Sequence, residues 1–155
     1  MTVKYLEELR TKIEEYLRPV VRFQGYELIE LDLVNQGGKL LLRLLLNRPG
    51  GITMGECVDM NRKLSRILDN TDFINQSYVL EVSSPGADRP LKDERELRCV
   101  VGRELMIKLK DGGQVKGNLL EVKDGKLILS CEDSVLEISI SELELAKQMI
   151  NLPKE

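Results

Sequence analysis

Tyr26-Glu27-Leu28-Ile29-Glu30-Leu31-Asp32-Leu33-Val34-Asn35-Gln36-Gly37-Gly38-Lys39-Leu40-Leu41-Leu42-Arg43-Leu44-Leu45-Leu46-Asn47 decides the fold of this chain. In its first part Ile29, Leu31 and Leu33 alternate with Glu30 and Asp32, the period of a half-buried strand. Gln36-Gly37-Gly38 is a hairpin turn. The returning strand puts Leu40, Leu42, Leu44 and Leu46 on one face and Leu41, Arg43 and Leu45 on the other. A strand so apolar on both faces is expected at the centre of a sheet or covered on both sides.

Upstream, Val3, Leu6, Leu9, Ile13, Tyr16, Leu17 and Val20 recur at helical spacing, with Glu7, Glu8, Glu14 and Glu15 opposite. Pro19 is expected to kink or restart this helix, because it has no N–H for the Glu15 carbonyl. Gly25 suits its C-terminal stop. Downstream, Arg48-Pro49-Gly50-Gly51 breaks the strand. Thr53 followed by Glu56 forms a capping box for a second helix. Its buried stripe is Cys57, Met60 or Asn61, Leu64, Ile67 and Leu68, and Tyr78 to Val82 makes a third strand. Residues 1–83 therefore read αββαβ, a two-layer α+β domain.

Ser83-Ser84-Pro85-Gly86-Ala87-Asp88-Arg89-Pro90 reads as a stiff connection, with the linker at 84–92. From residue 93 the texture changes. A helical turn (Asp93 to Val100) precedes strands at Glu104–Lys110, Gln114–Val122, Lys126–Cys131, Val135–Ile140 and Leu143–Ile150, separated by Gly- and Asp-rich turns. Short strands at that spacing in residues 93–155 favour a small closed β-barrel, with Gly117 at a sharp bend.

The 155 residues are 42% hydrophobic and 32% charged, a composition for a soluble chain with one or two small cores. There is no histidine, which removes Ser-His-Asp and Cys-His catalysis and histidine metal ligation together. Cys57, Cys99 and Cys131 are far apart and form no CxxC, so they read as reduced thiols and imply no metal site. Gly50 and Gly55 have phosphate-loop separation, but Glu56-Cys57 stands where Lys-Ser/Thr is needed. The acidic pairs lie on expected solvent faces. No catalytic residue, cofactor or metal site is assigned, and the chain is not expected to be an enzyme. With no apolar leader and no long apolar run, a cytoplasmic protein that does not enter membranes is expected.

The net charge of -3 argues against a generally basic nucleic-acid binder. Locally the balance differs. Lys39, Arg43, Arg48, Arg62, Lys63 and Arg66 face only Glu56 and Asp59 between Gln36 and Leu68. Arg62 and Arg66 share a helical face. The Gly50-Gly51 turn opens a helix N-terminus that favours anions. Arg48, Gly50, Gly51, Arg62, Lys63 and Arg66 are thus candidate contacts for RNA phosphates or a partner; an ordinary solvated surface is the competing reading. Glu132, Asp133, Glu137, Glu142, Glu144 and Glu155 form an acidic edge suited to a basic partner or simply to solubility.

The run Tyr78 to Leu91 resembles the linker signature of the bacterial ribosome maturation factor RimP family. Ser83, Ser84, Pro85, Gly86, Asp88, Arg89 and Pro90 carry it, joined by Gly25-Tyr26-Glu27-Leu28 and Arg48-Pro49-Gly50-Gly51-Ile52-Thr53 at matching spacing. The resemblance implies an α/β N-terminal domain and a C-terminal Sm-like (SH3-type) barrel. It implies a monomeric assembly factor that binds the immature small (30S) ribosomal subunit through a basic ribosomal protein and 16S rRNA. The alternative is a free RNA-binding regulator acting through the barrel as a ring. Asp88 and Arg89 are expected either to fix the angle between the domains or to touch a partner.

Overall fold

A computed structural model describes residues 2–86 and 89–149. The chain divides into two compact units, one made of the residues up to 48 with 52–85 and the other of 49–51 with the residues from 86 on.

The first unit opens with α1 (Val3–Phe23), capped by the Thr2 hydroxyl, which accepts from the Tyr5 N–H at 3.1 Å. The helix runs through Pro19 without restarting. A proline in a helix costs roughly 3 kcal/mol. Burial of Val21 beyond it, worth about 1.5–3 kcal/mol, offsets much of that. The end is a Schellman arrangement: Tyr26 N–H donates to Val21 C=O at 3.1 Å, Gly25 N–H donates to Arg22 C=O at 2.9 Å, and Gly25 sits at φ 93°.

β1 (Glu27–Gln36) and β2 (Lys39–Asn47) pair antiparallel across Gly37 and Gly38, both at positive φ as a tight hairpin turn requires. A bulge between Leu28 and Glu30 breaks the simple alternation expected from Ile29. The extra residue shifts the pattern, so Leu28 and Leu31 join the main core cluster, while Ile29 is buried outside that cluster. α2 (Met54–Asp69) then supplies the crossover that lets β3 (Tyr78–Ser83) run parallel to β2.

β2 is the central strand, as its leucines imply. Leu40, Leu42, Leu44 and Leu46 share one core with Leu9, Ile13 and Leu17 of α1 and Met60, Leu64 and Leu68 of α2. Both helices therefore cover the same sheet face. The other face is not equally covered, since Arg43 is exposed and pairs with Glu81 of β3 at 3.1 Å.

The second unit holds α3 (Glu94–Cys99), β4 (Glu104–Leu109), β5 (Gln114–Lys123), β6 (Lys126–Ser130), β7 (Val135–Ser139) and β8 (Leu143–Gln148). Leu97, Leu105, Ile107, Leu119, Leu127 and Leu129 fill its core. The strand order is β7-β6-β5-β4-β8, all antiparallel. Closure of the expected barrel is not seen as a strand pairing: among the described residues β7 and β8 are not paired, and a 3-10 turn at Ile140–Glu142 leads to β8, which pairs with β4. The end of the expected fifth strand, at Ile150, lies outside the described residues. Gly117 marks close packing: a Cβ there would lie 2.8 Å from the Ser130 carbonyl oxygen and 3.1 Å from Cys131 Sγ.

Candidate functional site

The expected capping box is formed in full. Glu56 N–H donates to the Thr53 hydroxyl at 3.1 Å, and Thr53 N–H donates to Glu56 Oε1 at 2.9 Å. The other carboxylate oxygen of Glu56 accepts from the Tyr26 hydroxyl at 2.8 Å and pairs with Arg48. The Arg48 guanidinium also lies 5.1 Å from the centre of the Tyr26 ring. The Thr53 backbone bond, then the Tyr26 bond and Arg48, hold the Glu56 carboxyl below the usual range. Burial, then the bond to Glu56, raises the Tyr26 hydroxyl.

This arrangement changes the reading of the turn. The α2 N-terminus favours an anion, and the protein's own Glu56 carboxylate takes that place. Gly50 and Gly51 stand at φ 87° and 91° in the loop before it, conformations that suit glycine. Arg48 has its charge matched at close range by Glu56.

The outer face of α2 is different. Its buried stripe is Cys57, Met60, Leu64 and Leu68, which leaves Arg62, Lys63 and Arg66 exposed on the far side. Neither the Arg62 nor the Arg66 side chain has a hydrogen bond or ion pair among the described residues. Lys63 Nζ donates to Gln24 Oε1 at 3.3 Å, a neutral partner that leaves its charge in place. Two acids lie one turn away along the helix: Asp59, three residues before Arg62, and Asp69, three after Arg66, which accepts from the Tyr78 hydroxyl at 2.7 Å. Asn61 leaves the apolar stripe; its amide donates to the Leu80 carbonyl at 2.9 Å and ties α2 to β3.

Among the linker residues, Ser83 ends β3, and Ser84, Pro85 and Gly86 follow it. Arg89 N–H donates to Gly86 C=O at 3.1 Å. The Arg89 guanidinium pairs with Glu96 at 3.1 Å; Glu96 is only 5% exposed and also accepts from Lys92 N–H at 3.3 Å. Leu91, just past Pro90, donates its N–H to Ala146 C=O at 2.8 Å. Arg89 therefore fastens the end of the linker to α3 within the second unit. Asp88 lies outside the described residues.

Sequence reasoning missed the Arg48–Glu56–Tyr26 cluster and the buried Glu96. The first had half a signal in the capping box; Tyr26 is thirty positions away from Glu56 and carried none.

In the second unit the acidic edge is partly neutralised. Glu137 pairs with Lys126 at 3.1 Å and Glu144 with Lys108 at 3.9 Å, while Glu155 lies outside the described residues. Glu132, Asp133 and Glu104 line an open groove with Lys116. Among the described residues no group of three or more acidic or cysteine side chains is placed to hold a metal ion. None of their helices is long and apolar enough to cross a membrane. Residues 16–88 match the family model described as the RimP N-terminal domain.

Proposed function

The chain belongs to the RimP family through this N-terminal domain, and from that premise we propose that it is a non-enzymatic, cytoplasmic ribosome assembly factor. In this reading it binds the immature small (30S) subunit as a monomer, promotes its maturation and leaves. The observation that carries the reading at residue level is the α2 face. Arg62 and Arg66, with Lys63, offer positive charge with no carboxylate hydrogen-bonded to it, suited to 16S rRNA phosphates. The groove of Glu104, Glu132 and Asp133 suits a basic ribosomal protein. The five-stranded sheet of the second unit, with its last strand beside its first, supports the Sm-like assignment for that domain.

Contacts of this kind make binding salt-sensitive, which suits a factor that must dissociate. Co-sedimentation with small subunits, large subunits and whole ribosomes at two salt concentrations tests the proposal. Binding to free small subunits alone, weakened by salt, is expected. Tight binding to free RNA with none to any particle would overturn it in favour of the regulator.

A further inference from the structure

The sheet of the second unit ends in β7 on one side and β8 on the other, and the two edges differ. At β8 the Ala146 carbonyl accepts from Leu91 N–H at 2.8 Å, so the end of the linker already holds part of that strand. Glu144 and Lys147 put charges on β8, and its pairing with β4 is irregular at Lys108/Leu109. Charges and irregularities of this kind protect a sheet edge from further pairing. β7 has little such protection. Val135-Leu136-Glu137-Ile138-Ser139 holds no proline, pairs with β6 in unbroken register, and its one charge is matched by Lys126. Among the described residues β6 is its only strand partner, and no backbone bond outside that ladder reaches it. Alternate N–H and C=O groups of β7 therefore point away from β6, open to another strand.

The register sorts the side chains along this edge. Leu136 pairs with Leu129 and Ile138 with Leu127, which places both on the core face. Leu136 is nevertheless 37% exposed, because no strand follows β7 on that side. On the opposite face the row Glu104, Asn118, Ser130, Val135 crosses the sheet from β4 to β7, and Val135 ends it at 64% exposed. The open groove lies along this row, with Glu104, Glu132 and Asp133 against the single cation Lys116. None of the three acids has an ion pair among the described residues.

We propose that β7 takes up an extended segment of a basic protein as an added strand. Its alternate apolar side chains cover Leu136, and the lysines or arginines between them run along the acidic groove. Main-chain hydrogen bonds supply the affinity and the two-residue alternation supplies the selection. A second copy of this chain does not fit. It would have to offer β8, whose edge Leu91 already meets, or another β7, which would bring two acidic grooves together. The inference rests on the assembly-factor reading and states how the basic protein partner is held.

Fluorescence anisotropy with the full chain tests it, using a labelled peptide of about seven alternating lysines and valines, a usual strand length. The same peptide with glutamate for lysine is expected not to bind. Hydrogen exchange followed by NMR reads the mode of binding on the wild-type chain alone. With peptide at about ten times its Kd, the edge-facing amides of β7 are expected to exchange about tenfold more slowly. Binding that leaves β7 exchange unchanged would overturn the proposal, and so would no binding at all. Glu132→Gln with Asp133→Asn is expected to weaken binding about fivefold. Leu136→Lys, which sets a charge on the edge, is expected to weaken it about tenfold. Equal binding by wild type and both variants would overturn the proposal. A dimer in light scattering whose β7 amides are protected without peptide would overturn it in favour of a second copy. Co-sedimentation with small subunits separates the two readings. Wild type that binds subunits but not the peptide overturns strand addition alone. Wild type that binds the peptide but no particle overturns the assembly factor alone, and wild type that binds neither overturns both.

Discussion

At the start of α2, Arg48 meets the Glu56 carboxylate and the face of Tyr26; further along the same helix, Arg62, Lys63 and Arg66 meet solvent and, for Lys63, a neutral amide. All four are at least partly exposed, and all four count equally in a charge tally. Their fields do not count equally. A carboxylate at contact distance cancels a guanidinium for any phosphate approaching from outside, whereas an uncompensated cation acts over a Debye length of about 8–10 Å. Position on the surface is therefore a poor guide to a nucleic-acid face unless the partners are known.

The sharpest way to break the comparison is to remove the open charges. Replacing Arg62, Lys63 and Arg66 together with glutamine is expected to weaken small-subunit binding roughly a hundredfold near 0.1 M salt and to flatten the salt slope by two to three. Unchanged binding and slope in co-sedimentation would show that the open end of α2 is only a solvated face. The stability of this variant should stay within about 0.5 kcal/mol of wild type, because none of the three side chains enters the core.

The closed end should respond in the opposite way, through stability. Thr53→Ala removes the hydroxyl that accepts from Glu56 N–H and is expected to cost about 1 kcal/mol in urea unfolding, with subunit binding preserved. A variant as stable as wild type would mean that the cap is redundant.

Glu56→Gln gives the smallest effect and a defined pH signature. The folded Glu56 carboxyl lies below its ordinary value of 4.5, so the unfolded chain takes up its proton first as pH falls. The stability it confers is present above pH 4.5 and is lost as pH drops through the folded value. The glutamine variant should lose stability less steeply over that window. Unfolding curves of equal slope would sink the assignment of Glu56 as the internal anion.

How much was legible depended on the reach of each signal. Thr53 and Glu56 are three residues apart, Gly37 and Gly38 adjacent, and Gly25 directly follows a helical pattern; each was read correctly because the interaction it governs is local. The central place of β2 was legible from Leu40 to Leu46 because apolar residues on both faces suit few other positions. The bulge at Ile29 was not, since a bulge is a property of the pairing with Leu45 and Leu46 on the partner strand. Gly117 was seen as unusual, but the carbonyl that excludes a side chain belongs to Ser130 on another strand. In the linker, Arg89 was singled out and Glu96 was not, because a buried carboxylate has no mark in sequence until its partner is known.

Composition, periodicity and caps by themselves determined the order of helices and strands, the break between the two halves and the absence of histidine chemistry. These are decided within a few residues along the chain, where spacing and backbone preference act. Tertiary structure alone decided that Glu56 silences Arg48, that Arg62 and Arg66 go without such a partner, that Gln24 at the end of α1 meets Lys63, and that β8 pairs with β4 in the second sheet. Each of these depends on groups distant in sequence meeting within a few ångströms. At that range Coulomb and hydrogen-bond energies are large enough to reassign what a residue does.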